Sequence, residues 1–239
     1  MLTRYVSIDL EMSGLSPVKD RIIEIAALRV EQGKVTGRFE TLVNPNIPIR
    51  EHISEITGIR EEMLRQSPKI HEVMPEFIGF LGDDVLLGHS VGFDFNFIMQ
   101  SCFDLGIEDV FAREWYGMDT LLIARKHLGT ETEKNLDKLC KYYGIEEKEH
   151  HRAGSDAQAA AHLYEKLCGI YEKDGEFEPV RLCYKPKKQT MIAAKQVRFL
   201  EKLVRYHGLE QDRDFSKLTQ REGSRLADMI ISKYGKIHH

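Results

Sequence analysis

No stretch of this 239-residue chain approaches the ~20 consecutive apolar residues that a membrane-crossing helix needs. Its start, Met1 to Arg4, enters a strand-like apolar run at Tyr5 without the apolar core of a secretion signal. These absences lead us to expect no membrane association, no export and a cytoplasmic location. Cysteine is scarce, and Cys102, Cys140, Cys168 and Cys183 form no Cys-x-x-Cys pair. A disulfide framework and a structural zinc site are both disfavoured, which leaves buried thiols in a reducing compartment. No internal repeat is visible. What is present is ordinary for a globular protein, with 42% hydrophobic and 30% charged residues, enough for one ample core and a small appendage.

Charge is unevenly spread. From Arg181 to His239 there are 14 Lys and Arg against 6 Asp and Glu, so the tail carries about +8 and the remainder about −12. An acidic body able to hold cations, joined to a basic appendage, suits a polyanionic partner. A solvated basic helical pair without a partner is the alternative.

Alternation predicts strands over residues 4–10, 21–30 and 34–43, with a turn at Gly33 that makes the last two a hairpin. Helical spacing of Ile70, Val73, Met74, Phe77, Ile78 and Leu81 follows. Short strands are expected at 84–88 and 117–120, and helices at 95–105, 121–128, 135–143 and 155–171. Strands first, then interleaved helices and strands, indicate an α/β fold with a mixed five-stranded sheet flanked by helices. The polar, proline-punctuated segment 173–188 reads as a linker between a main domain, 1–172, and a small basic helical domain, 189–239. In that appendage, Thr219 and Glu222 fit a capping box opening a final helix that Gly235 closes.

Three segments carry chemistry. Asp9 and Glu11 interrupt the first apolar strand one residue apart, so both project from the same face near its C-terminal end. Two anions held that close repel each other and are costly to bury unpaired. A divalent cation, or two, removes the problem; a solvated strand end is the plain alternative. The second segment runs from His89 to Asp94, where Asp94 falls in a first helical turn and is favoured by the helix dipole. That placement also suits an ordinary helix-start carboxylate. The third runs from His150 to Asp156, with His151 on a loop and Asp156 opening an alanine-rich helix. A loop lets an imidazole move over a substrate, whereas an exposed histidine needs no such role.

In this order and spacing, with Ile56 to Ile59 between the first two, the segments resemble the DEDDh 3′→5′ exonucleases. That group includes the proofreading subunit of bacterial DNA polymerase III, and the resemblance runs from about Arg4 to Leu167. It implies a ribonuclease H-like fold for the main domain. It makes Asp9, Glu11, Asp94 and Asp156 the ligands of two Mg²⁺ or Mn²⁺ ions, hard cations that prefer oxygen. Two such ions about 3.5–4 Å apart can activate a water and stabilise the departing 3′-oxygen. It makes His151 the general base, a role suited to an ordinary pKa near ~6.5.

By the same resemblance Met12 and Ser13 touch the terminal nucleotide, Ile56 and Thr57 belong to the base pocket, and Phe93 supports Asp94. Core packing is the alternative for Ile56, Ile59 and Phe93. The family often has Asn where Ser90 stands and Thr in the first motif, where Met12 and Ser13 stand. These departures leave the preferred sugar and base open. The implied activity is a metal-dependent exonuclease releasing nucleoside 5′-monophosphates from single-stranded DNA 3′ ends. An RNA-trimming member of the same family and a catalytically silent nucleic-acid-binding scaffold are the alternatives. The basic C-terminal region is expected to meet DNA or a polymerase or repair partner.

Overall fold

A computed structural model describes residues 1–145, 152–171, 177–188, 190–210 and 214–237. Strands β1 (Arg4–Met12), β2 (Ile22–Glu31) and β3 (Lys34–Leu42) open the chain. Helices α1 (Glu51–Thr57), α2 (Glu61–Arg65) and α3 (Ile70–Leu81) follow, then β4 (Leu86–Gly88), α4 (Val91–Leu105) and β5 (Trp115–Asp119). Next come α5 (Thr120–His127), α6 (Leu136–Tyr143), α7 (Ala153–Tyr171) and β6 (Val180–Leu182). Helices α8 (Ala194–Tyr206) and α9 (Gln220–Tyr234) close the described chain.

The six strands form one mixed sheet in the order β3-β2-β1-β4-β5-β6. The hairpin turns on Gln32 and Gly33, both at positive φ, which matches the twist of the strands they join. β1 pairs antiparallel with β2 and parallel with β4, and β4 pairs parallel with β5. The five expected strands are therefore joined by a sixth. β6 comes from the segment expected as linker and pairs antiparallel with β5, Gly117 opposite Val180. Gly117 permits it, since a Cβ there would meet the Leu182 side chain at 2.8 Å. Three residues are too few to leave an alternating pattern among charged neighbours. Helices α1 and α2, only 7 and 5 residues long, also lie where no helix was expected.

The alternation of β1 sorts its side chains between two cores. Val6, Ile8 and Leu10 pack with Met74, Phe77, Phe95 and Ile98 of α3 and α4. Tyr5 faces the other way, toward Leu163, Tyr164 and Leu167 of α7 and Leu139 of α6. Asp9 and Glu11, in step with Tyr5, therefore face the α7 layer. There α7 lies close to β2 because Ala26 and Leu28 meet Ala153 and Ala157. The Ser7 hydroxyl adds a hydrogen bond to the Ala157 carbonyl at 2.7 Å.

The chain divides into two compact units, Met1–Pro45 with Ile49–Pro186, and Asn46–Pro48 with Lys187–His239. Within the second, Leu200, Leu203 and Val204 of α8 pack with Leu226, Ala227 and Ile230 of α9 around Phe215. Thr219 and Glu222 make the capping box that opens α9, the Glu222 carboxylate accepting from the Thr219 N–H at 2.7 Å.

The close approach of α7 to β2 yields a prediction. Ala157→Leu should lower stability by about 1–3 kcal/mol through overpacking, whereas His162→Leu on the exposed face of α7 should change it by less than about 0.5 kcal/mol. Urea denaturation of the two variants measures the difference; equal stabilities contradict the packing described.

Candidate active site

The C-terminal half of β1 runs past the end of β4, whose pairing with β1 stops at Ser7 opposite Leu87. That leaves β1 backbone and side chains facing a crevice beyond the carboxyl ends of two parallel strands, a common ligand position in such sheets. Asp9 and Glu11 are half-buried there. From the first turn of α7 comes Asp156, 8% exposed. Each of the three offers an oxygen within 4.8 Å of the others. Asp94, in the first turn of α4, stands outside this trio, and its Oδ1 accepts the Leu10 N–H at 3.2 Å. It thus satisfies a β1 donor that short β4 does not reach. An open cleft of about 320 Å³ is lined by the trio together with His89, Asn135 and Asp137.

Nothing about this gathering is electrostatically comfortable. Asp9 is pushed well above the usual carboxylate range by burial first, then by Asp94, Asp156 and Glu11. Glu11 is pushed up to about 8 by burial, Asp156 and Glu24, with Arg152 opposing. Asp94 also rises to about 8, chiefly through burial and despite the Leu10 hydrogen bond. Hard oxygen donors carrying excess negative charge are the donor set that suits a divalent cation of the Mg²⁺ or Mn²⁺ type.

A family profile described as Exonuclease matches residues 6–164, well over half of the chain. The chain belongs to this exonuclease family. Among its relatives, the PolC-type DNA polymerase III of Caldanaerobacter subterraneus subsp. tengcongensis is 38% identical over 164 residues. The match covers 68% of this chain and 11% of that polymerase, so the chain corresponds to a small part of its relative. Exonuclease X, solved in complex with 5′ overhanging duplex DNA, is 26% identical with a TM-score of 0.54, over 70% of this chain and 93% of that one. The nuclease domain of 3′hExo, a DEDDh family member bound to rAMP, shares the fold at 17% identity and a TM-score of 0.60, over 76% and 98% of the two chains.

Against this exonuclease framework the other expected positions can be placed. His151 lies outside the described residues. Met12 is 8% exposed and belongs to the core that includes Leu10 and Ile22. Ser13 is buried, its hydroxyl accepting the Arg21 N–H at 2.9 Å. Thr57 is also buried; its hydroxyl donates to the Ile53 carbonyl at 2.9 Å and accepts from the Ile59 N–H at 3.1 Å. Ile56 is 55% exposed, outside any core, whereas Ile59 is wholly buried against Ile23 and Leu64. Phe93 is half-buried, edge-on to Phe97 at 5.4 Å.

Two features of this site were not anticipated. Glu24, opposite Glu11 in the β1–β2 register, grips the start of α7. Its carboxylate takes the Arg152 guanidinium at 2.6 and 3.0 Å and the Ala153 N–H at 3.1 Å. The Arg152 carbonyl in turn accepts the Asp156 N–H at 3.0 Å. A lone carboxylate in the apolar run from Ile22 to Leu28 was the available signal. His89 is the second feature. Its Nε2–H donates to the Lys134 carbonyl at 2.8 Å, and its Nδ1 lies 2.9 Å from the Thr120 hydroxyl oxygen. Burial lowers its pKa, consistent with that neutral tautomer.

Two outcomes follow. In a chelating buffer the folded carboxylates hold protons that an unfolded chain, with carboxyl pKa values near ~4, releases. Stability should therefore fall as pH rises from about 4 through about 8, the folded values of Glu11 and Asp94. Added Mg²⁺ or Mn²⁺ should raise the melting temperature strongly at pH 8 and little at pH 5. A cation-independent melting temperature at pH 8 contradicts the charge picture. Separately, Glu24→Gln should cost about 2 kcal/mol, a buried-pair value reduced because the Arg152 side chain is 39% exposed. It should also lower nuclease turnover; wild-type turnover would show that the grip on α7 does not position Asp156.

Proposed function

We propose that this protein is a divalent-cation-dependent 3′→5′ exonuclease that shortens single-stranded DNA from its 3′ end and releases nucleoside 5′-monophosphates. One observation carries the reading: Asp9, Glu11 and Asp156 converge in an open cleft of a chain that belongs to the exonuclease family. The activity is assigned to residues 1–172, with 189–239 as a separate small basic domain.

Asp9, Glu11, Asp94 and Asp156 would hold two Mg²⁺ or Mn²⁺ ions, which when bound supply charge stabilisation at the scissile phosphate. Asp94 acts from the start of α4, where the hydrogen bond it accepts from the Leu10 N–H fixes one oxygen. His151 takes the proton of the attacking water. It directly precedes Arg152, whose guanidinium is held by Glu24. Met12 and the Ser13 backbone contact the terminal nucleotide, with Ile56, Thr57 and Phe93 around the base. Of these, exposed Ile56 is the side chain most available to stack or pack against a base.

A single-stranded end suits a reaction in which the phosphate must be drawn away from a pairing partner. DNA is favoured over RNA because the relative matched at 38% identity is a DNA polymerase and Exonuclease X was solved with DNA. RNA trimming is the second reading, supported by the rAMP in the 3′hExo structure. A silent scaffold is disfavoured by the intact carboxylate set. A replication or repair setting in the cytoplasm accords with the polymerase relative.

Matched, 5′-labelled DNA and RNA oligonucleotides with Mg²⁺ test the reading. We expect stepwise loss from the 3′ end of DNA, abolished by chelator, and slowed at least about 100-fold in Asp9→Asn and His151→Ala. Unchanged rates in those variants contradict the reading, and faster shortening of RNA replaces DNA as the substrate.

A further inference from the structure

We propose that the outward face of α8 is a binding track for single-stranded nucleic acid, separate from the catalytic cleft in sequence and in composition. At 3.6 residues per turn, Lys195, Arg198, Phe199, Lys202, Arg205 and Tyr206 fall within about 120° of the helix circumference. All six are exposed. No acidic residue shares that arc, since Glu201 lies at its flank and is half-buried. Among the described residues, none of the four cations takes part in an ion pair.

The opposite side of the same helix is fully committed. Leu200, Leu203 and Val204 close the core against α9, so the six exposed residues are not needed to hold the unit together. Surface charge kept only for solubility is ordinarily mixed in sign. The outer side of α9 is mixed in this way, with Asp228 among Arg221 and Lys233. On α8 four like charges instead stand in line, repelling one another over about 15 Å of helix. A polyanion relieves that repulsion, as released counterions do in any phosphate track.

The two aromatic rings make nucleic acid, rather than an acidic protein, the matching occupant. Phe199 is 44% exposed and Tyr206 49% exposed, seven residues apart and so on the same side two turns later. Rings set among cations are the recurring device of sequence-tolerant single-strand binding, where phosphates meet the cations and bases stack on the rings. Phe199 also borders a groove of about 210 Å³ lined by Gln196, Gly223, Ser224 and, on its α9 side, Asp228. Such a track would raise the residence of a long strand on the protein without taking part in bond cleavage.

The test uses the full chain in chelator, so that binding is read without hydrolysis and independently of the catalytic reading. Anisotropy of a labelled thirty-residue oligothymidylate is followed from 50 to 300 mM salt. Four phosphate contacts predict a wild-type slope of log affinity against log salt near about −3. Arg198→Gln with Lys202→Gln should weaken binding at least tenfold and flatten that slope by about 1.4. Phe199→Ala should weaken binding about tenfold and leave the slope unchanged. Melting temperatures and cation-dependent turnover of a four-residue oligonucleotide should stay at wild-type values in both variants. Unchanged affinity and slope overturn the proposal. Lost turnover of the short oligonucleotide, with melting unchanged, overturns it by placing the face within the catalytic machinery.

Discussion

Repulsion among carboxylates at the end of β1 is the constraint around which the main unit is arranged. Asp9, Glu11 and Asp156 share a space under 5 Å across, with Asp94 and Glu24 close enough to raise the protonation of their neighbours. A chain left to minimise its own energy would separate these groups. Here separation is prevented from three sides. β1 is locked between β2 and β4, Asp94 is tied to the β1 backbone, and α7 is held against β2 by alanine contacts and the Glu24–Arg152 pair. A bound cation would relieve that repulsion, which is the role proposed for the divalent ions.

Glu24 shows how the constraint spreads. Placed opposite Glu11, it adds to the negative charge of the site, yet it is the group that fixes the start of α7. Arg152 reconciles the two roles. It neutralises Glu24, opposes the rise in the Glu11 pKa, and its backbone carbonyl receives the N–H of Asp156. One arginine therefore couples the geometry of the site to its electrostatics, and it sits between His151 and Asp156 in the sequence.

Much of this was legible before any coordinates, because strand alternation and turn chemistry are local. β1 to β3, the hairpin at Gly33, α3 and the capping box at Thr219 all follow from spacing alone. The carboxylate segments were legible because their order along the chain is distinctive. What escaped was set by partners distant in sequence. β6 exists because β5 offers an edge and Gly117 leaves room for Leu182. α1 and α2 are too short for a helical period and rest on contacts such as Ile59 and Leu64 with Ile23. Helix α4 begins at Val91, earlier than its apolar spacing suggested, because Ser90 takes a left-handed conformation and donates its N–H to Asp119 at the end of neighbouring β5. That conformation favours Asn over most side chains.

Anomalous diffraction from crystals grown with Mn²⁺ and a nucleoside 5′-monophosphate tests the central claim most directly. The account predicts two anomalous peaks at the end of β1, with carboxylate oxygens of Asp9, Glu11 and Asp156 at roughly 2.0–2.3 Å and Asp94 completing the set. A map with no peak there, while the same protein shortens DNA, would contradict it.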